Sequence, residues 1–226
     1  MKIELVGEAS STNDEVKRYL KGGEDIILCA RRQTGGKGTK GRSFLSKEGG
    51  VYLSALFFYE NFPAARAFEI MAHAAVSVCR TAVSFGIQPE IKWPNDVLVR
   101  GKKVAGILIE NILRGENIHA SVIGIGLNVE NDVSALGGIA TTLSAEAGRR
   151  ISVEAVRDAL IKNLTAKDSF SEYLSFVHFL GREVRVTEGV IEYSAVPRRI
   201  LPDGRLEIEA NGQIRALSSA EISLTI

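Results

Sequence analysis

Apolar runs broken by glycine- and asparagine-rich stretches dominate the chain, and only a few segments repeat with helical spacing. Ile26 to Ala30 is a continuous apolar run suited to a strand buried on both faces, and it empties into the glycine-rich stretch Gly35 to Gly41. Val51 to Tyr59 predicts a second strand. Ahead of both, Ser10-Ser11-Thr12-Asn13 precedes Asp14, Glu15, Val16 and Leu20, which predicts a short helix with Thr12 and Glu15 in capping-box spacing. Asn61-Phe62-Pro63 predicts the start of a long helix, with Pro63 in its first turn. Phe68, Met71, Ala75, Val78, Ala82 and Phe85 form its core face, and Gly86 ends it.

A meander follows, mostly antiparallel: Glu90 to Trp93 with Val97 to Val99, Val104 to Leu113, and His119 to Val129, turning at Pro94-Asn95-Asp96, Arg100-Gly101-Lys102 and Arg114-Gly115-Glu116-Asn117. A polar loop from Asn131 to Ala140 leads to a helix near Ser152, with Val156, Leu160 and Leu164 repeating, and helix is expected to continue, with a break, toward Phe179. After Gly181 short β-rich runs alternate with Glu-Gly, Pro-Asp-Gly and Asn-Gly turns. The expected architecture is α+β: a mixed, mostly antiparallel sheet flanked by helices over residues 1–178, then a small SH3-like β-barrel over residues 181–226.

Composition narrows the class. Hydrophobic residues are 45% and charged residues 24% of 226, near the soluble globular average, so a disordered, collagen-like or coiled-coil chain is excluded. Lysine and arginine number 28 against 27 acids, which argues against a nucleic-acid coat. The two cysteines, Cys29 and Cys79, are too few for a disulfide framework and fit a reducing cytoplasm. No long apolar segment and no charged-then-apolar leader is present, so neither export nor a membrane span is expected. His73, His119 and His178 are scattered without metal-ligand spacing, and no nucleophile elbow appears.

Charge is balanced globally but not locally. Residues 26–47 carry Arg31, Arg32, Lys37, Lys40, Arg42 and Lys47 and no acid. Within them Gly35-Gly36-Lys37-Gly38-Thr39-Lys40-Gly41-Arg42 alternates glycine with cations, so backbone N–H groups and ammonium groups can both meet a phosphate or carboxylate. A solvated flexible loop is the plainer reading. The stretch is not a Walker A loop, since the Gly-Lys-Ser/Thr ending after four intervening residues is absent, nor a dinucleotide fingerprint, since a strand rather than a helix follows. Lys92-Trp93-Pro94-Asn95-Asp96 holds the only tryptophan; it reads as a turn anchored by an aromatic, or as a site where Asp96 carries magnesium on a nucleotide while Lys92 or Asn95 meets phosphate. Lys103 is either an exposed hairpin lysine or one directed into a pocket, where Gly106 leaves room beside the backbone. Gly124 and Gly126 share a strand face, which marks either a bulge or space that something fills, with Asn128 beyond them.

In this order, Ser11-Thr12-Asn13, Gln33 to Arg42, Lys92 to Asp96, Lys103 to Ile107 and Gly124 to Asn128 resemble the biotin protein ligases. The resemblance implies a class II synthetase-like catalytic domain, formation of biotinyl-5′-adenylate from biotin and ATP with Mg2+, and transfer of biotin to a lysine of a biotin carboxyl carrier domain. It further implies a cytoplasmic homodimer in the single-function form, without the DNA-binding domain of repressor-type members. Ser11, Thr12, Asn13 and Gln33 match the biotin ring side, Gly36 and Lys37 the segment over biotin and its carboxylate, and Gly106 and Gly124 the adjoining strands. Lys103 matches the family's essential lysine. Lys37, Gly38, Lys40, Arg42, Phe44, Lys92, Asn95, Asp96 and Asn128 match the ATP side, with Ala140 and Thr141 near the adenine. Lys103, Lys37, Arg42 and Asp96 are the implied catalytic set, Asp96 being linked to Mg2+ directly or through water.

The family loop carries arginines and a tryptophan where Lys37, Thr39 and Phe44 stand; lysine lacks the planar fork of arginine, and threonine lacks the charge. A lipoate or related acyl-protein ligase is the alternative enzyme. An RNA- or partner-binding module is the non-enzymatic one, and it would bind with a steep salt dependence.

Overall fold

The computed structural model describes residues 1–166, 170–219 and 222–225. Its main sheet contains β1 (Lys2–Ala9), β2 (Ile26–Gln33), β3 (Gly50–Pro63), β4 (Glu90–Lys92), β5 (Asp96–Val99), β6 (Lys102–Arg114) and β7 (Asn117–Asn128). The spatial order is β1-β2-β3-β7-β6-β5-β4. Only β1 and β2 run parallel; all other pairings are antiparallel, so the sheet is mixed and mostly antiparallel as expected.

Alternation sorts the side chains of these strands onto two faces. Ile26, Leu28, Leu56 and Val122 pack with Val16 of the short helix α1 (Thr12–Val16). Ile27, Cys29, Leu53, Ala55 and Ile123 face the other way, against α2 (Ala67–Ser84) and α4 (Val153–Leu164). Ala72, Ala74, Ala75 and Ala82 are buried along α2, and such small side chains bring a helix axis close to its neighbours. Fully burying an aliphatic such as Ile123 contributes about 2–3 kcal/mol. Between β7 and α4 lies α3 (Leu143–Ala147), capped by Thr142, whose hydroxyl accepts the Ala145 N–H. Ser152 caps α4 in the same way.

Beyond α5 (Phe170–Ser175), a second antiparallel sheet holds β8 (Val184–Glu188), β9 (Ile191–Ile200), β10 (Leu206–Ala210), β11 (Gln213–Leu217) and β12 (Ile222–Thr225), in the order β11-β10-β9-β8-β12. Val186, Ile208 and Leu217 join the same continuous core as α2 and β6. Trp93 is central to that junction: it is 3% exposed, and its indole N–H donates to the Gly204 carbonyl at 2.9 Å.

Several expectations need correction. No strand was expected at Lys2–Ala9, because its Ile3 and Leu5 are exposed on an edge and the ladder to β2 holds it. Pro63 ends β3, paired with Asn117, instead of opening the helix, which starts after a short 3₁₀ turn over Ala64–Arg66. The capping box of α1 does not form, because the Thr12 hydroxyl is engaged elsewhere and Glu15 accepts the Ser10 N–H. Helices α3 and α5 and strand β12 were also not separately foreseen, and part of the expected continuation after α4 lies outside the described residues.

Candidate functional site

On the α1 face of the sheet, β3 and β7 present Ser54, Gly124 and Gly126, whose small side chains allow other elements to approach. A Cβ on Gly124 would lie 2.1 Å from Asn13 Oδ1, and one on Gly126 2.4 Å from Phe44 Cε1. At Gly106 it would meet Lys103 Nζ at 3.0 Å. The protein's own Asn13, Phe44 and Lys103 therefore fill the space that these glycines leave. Around them opens a cleft with about 440 Å³ of empty space, lined by Ser11, Thr12, Asn13, Gln33, Lys37, Gly38, Phe44, Asn95, Lys103, Gly106 and Gly124. Larger hollows of about 860 and 890 Å³ gather none of the motif residues from the resemblance, and one of about 680 Å³ takes only Gln33 and Thr34 of them.

One end of the cleft is a network of neutral hydrogen-bonding groups. Gln33 Oε1 accepts from the Thr12 N–H at 2.8 Å and from its hydroxyl at 3.0 Å, while Gln33 Nε2 donates to Ser46 Oγ at 2.8 Å. Ser54 Oγ lies 2.7 Å from Thr12 Oγ1 and 2.6 Å from Asn13 Oδ1. Ser11, Thr12 and Asn13 are buried, so the first turn of α1 is set by the sheet beneath it. Burying the Thr12 and Asn13 side chains is tolerated because each has a hydrogen-bond partner.

Cations gather at the other end. Lys103 Nζ is 2.7 Å from Asp96 Oδ1 and 5.8 Å from the centre of the Phe44 ring. Lys92 pairs across the β4–β5 turn with Asp96. Burial pushes the Lys92 amine below the usual lysine range; Asp96 opposes this, and Lys103 and Arg42 add to it. Lys103 thus pairs with the carboxylate directly, while Lys92 stands opposite it across the turn and feels both Lys103 and Arg42. The Lys103 backbone is held on both sides, its N–H donating to the Ile139 carbonyl and its carbonyl accepting from the Thr141 N–H, each at 2.9 Å. Asn95 is bonded to Ile107 through backbone and side chain.

The glycine-rich segment is a hairpin folded back on itself. Gly38 N–H donates to the Arg42 carbonyl at 2.7 Å and Phe44 N–H to the Gly36 carbonyl at 2.9 Å. Lys40 (φ 57°) and Gly41 (φ 72°) make its turn, both in the left-handed region. Gly36 has no room for a side chain, since a Cβ would sit 2.5 Å from the Phe44 carbonyl oxygen. Lys37 Nζ contacts Asp14 Oδ2 at 2.6 Å.

Other predicted residues lie away from the cleft lining. Asn128, expected beside the nucleotide, is buried outside the cleft lining, with Oδ1 accepting from Asn131 Nδ2 at 3.0 Å. Ala140 and Thr141 run beside Lys103, and the Thr141 hydroxyl donates to Glu146. The local excess of cations is also partly spent elsewhere, with Arg32 paired to Glu8 and Lys47 to Asp132. Sequence reasoning missed Ser54, Asp14 and Glu110. Ser54 is the lone serine in the apolar run of β3, the one local signal available; the two acids are singled out only by their partners Lys37, Lys17 and Asn13. Among the described residues no cluster of three or more metal-ligating side chains occurs, and no helix is long and apolar enough to cross a membrane.

The model of the biotin/lipoate A/B protein ligase family matches residues 9–128. The bifunctional ligase/repressor BirA of Bacillus subtilis (strain 168) is 32% identical over 219 residues, covering 89% of this chain and 66% of that protein, so the match spans just under two thirds of the relative's length. The biotin–[acetyl-CoA-carboxylase] ligase of Paracoccus denitrificans is 32% identical over 69% of this chain and 68% of its own. Among solved structures, the biotin protein ligase from Aquifex aeolicus in complex with biotin and ATP has a TM-score of 0.76 at 28% identity, covering 99% of this chain and 98% of that one.

Proposed function

Since the chain belongs to the biotin/lipoate A/B protein ligase family, we propose that it joins biotin to ATP as biotinyl-5′-adenylate and then transfers the biotin to one lysine of a biotin carboxyl carrier domain. The observation that carries this reading is a single cleft with neutral hydrogen-bonding groups at one end and a cation cluster at the other, bridged by Lys103 and Phe44. A ureido ring offers both donors and acceptors, which suits Thr12, Asn13, Gln33 and Ser54.

In the first step a biotin carboxylate oxygen attacks the α-phosphorus, and the bond from that phosphorus to the pyrophosphate oxygen breaks. A carboxylate is already ionised at neutral pH, so no base is required. The obstacle is repulsion: two unit negative charges about 4 Å apart at an effective dielectric near 20 cost about 4 kcal/mol. Lys103, with Lys37 on the carboxylate side and Arg42 and Lys92 on the phosphate side, offsets a cost of that size, and fixed charges do so without reorganising. In the second step the unprotonated carrier amine attacks the acyl carbon, the bond from that carbon to the AMP oxygen breaks so that AMP leaves, and the proton released as the amide forms passes to solvent.

Asp96 fits a magnesium ion that arrives with the nucleotide. A lone carboxylate matches magnesium's habit of keeping phosphate and water as its other ligands, and the ion would neutralise phosphate charge. Asn95 and Gly38 line the phosphate end, and Ala140 and Thr141 flank it for the adenine. We read strands β8 to β12 as a second unit docked through Trp93. The exposed edge strand β1, with Ile3 and Leu5 open, supports a homodimer, and the buried free thiols Cys29 and Cys79 support a cytoplasmic site.

Mass spectrometry of protein mixed with biotin, ATP and magnesium is the decisive experiment. Biotinyl-5′-adenylate is the expected product; its absence, or an adenylate formed from lipoate and not from biotin, overturns the assignment.

A further inference from the structure

Asp14 stands next to Asn13 on α1, at the rim of the cleft, and its carboxylate is shared. Oδ2 contacts Lys37 Nζ at 2.6 Å, and Oδ1 is 3.4 Å from Lys17 Nζ. Lys17 in turn contacts Glu110 at 2.7 Å, and Glu110 accepts from Asn13 Nδ2 at 3.4 Å. The hydrogen bond from Lys37 is the largest of the influences that hold the Asp14 carboxyl below the usual carboxylate range. Lys37 also lines the cleft, on the loop placed here over the biotin tail. Its ammonium therefore has two claimants of the same chemistry, an internal carboxylate and a ligand carboxylate.

From this geometry we infer that Asp14 is an electrostatic latch on the glycine loop: it competes with the ligand carboxylate for Lys37 and so sets the affinity for acids bearing that tail. The inference rests on the biotin-activation reading above. Lys17 makes the exchange feasible. When Lys37 turns to a ligand, Asp14 keeps Lys17 as its partner, so no carboxylate is stranded without a cation. Both partners of the latch are roughly half exposed, with side-chain accessibilities of 48% for Lys37 and 41% for Asp14, so water screens the pair and the effect is modest. Ion pairs of that kind are worth a factor of up to about five in an equilibrium constant.

A ligand with the same ring and an uncharged tail makes no demand on Lys37 and should not sense Asp14. Asp14 is a positioning residue that acts through Lys37, and its signature is a split between acid and neutral ligands.

Calorimetric titration of wild type, Asp14→Asn and Asp14→Ser with biotin and with biotinol, the alcohol that replaces the carboxylate, measures this split. Both variants are expected to bind biotin about three- to fivefold more tightly and biotinol within twofold of wild type. In a Lys37→Met background, Asp14→Asn should leave biotin affinity unchanged. Equal shifts for the two ligands, weaker biotin binding, or an effect that survives Lys37→Met would each overturn the latch. Should wild type bind neither ligand, the biotin reading itself fails and the latch with it, an outcome distinct from all the others.

Discussion

Single residues decide the chemistry of this cleft, and Lys103 is the most exposed to test. It is clamped through its backbone by Ile139 and Thr141, contacts Asp96 at 2.7 Å, and faces the Phe44 ring. Replacing it with alanine removes a fixed positive charge from the point proposed above for the meeting of two anions. Losing an oxyanion-type donor costs on the order of 3–4 kcal/mol of transition-state stabilisation. Lys103→Ala should therefore slow biotin-dependent exchange of pyrophosphate into ATP about a hundredfold or more; a rate within about a factor of three of wild type would remove Lys103 from its assigned role. Gly124→Ala probes the other end. Its new methyl would fall 2.1 Å from Asn13 Oδ1, so Asn13 must leave and the contact with Ser54 opens. One lost buried hydrogen bond is worth about 1–3 kcal/mol, so biotin affinity measured by calorimetry should drop about tenfold. The glycine motif was legible in the sequence, but the identity of what fills it was not, because Asn13 and Gly124 are far apart along the chain.

At the scale of elements, the hairpin from Gly36 to Phe44 joins the two ends of the cleft. Its cations and glycines raise the expectation of an anion-binding loop, while its fold depends on a Lys40-Gly41 turn and on Ser46 and Gln33 beneath it. Thr39 sits at the foot of that turn, where its carbonyl accepts the Arg42 N–H at 3.2 Å. Restoring a charge and a planar fork there, by Thr39→Arg, should slow release of the adenylate in a filter-retention assay, because guanidinium binds phosphate in two-point fashion. Equal release rates for the two proteins would mean that Lys40 and Arg42 already supply what the adenylate needs. Elements with strong local signals, such as the face of α2 and the Ser152 cap of α4, follow expectation. The edge strand β1 does not, since it is held by a partner strand remote in sequence, and α3, five residues capped by Thr142, is too short to show a helical repeat.

For the whole molecule, the junction between the two sheets depends on Trp93, which precedes the turn bearing Asn95 and Asp96 and donates to the Gly204 carbonyl in the second sheet. Trp93→Phe keeps most of the apolar contact and deletes that bond, leaving a buried carbonyl unsatisfied at a cost of about 1–3 kcal/mol. Its thermal unfolding midpoint should fall by about 2–8 °C, and pyrophosphate exchange should weaken with it, because Asp96 and Lys92 flank the displaced turn. Unchanged stability would show that the contact between the sheets is incidental to the site. The apolar runs and turn residues of the chain determined by themselves a mixed α+β sheet followed by a small β unit, and the spaced motifs determined the candidate residues, since burial and turn geometry act over a few neighbouring positions. Tertiary structure alone decided that Asn13 and Phe44 meet Gly124 and Gly126, that Ser54 completes a polar network and that Asp14 holds Lys37. Those are contacts between residues tens of positions apart, and only the packing of the sheet brings them within bonding distance.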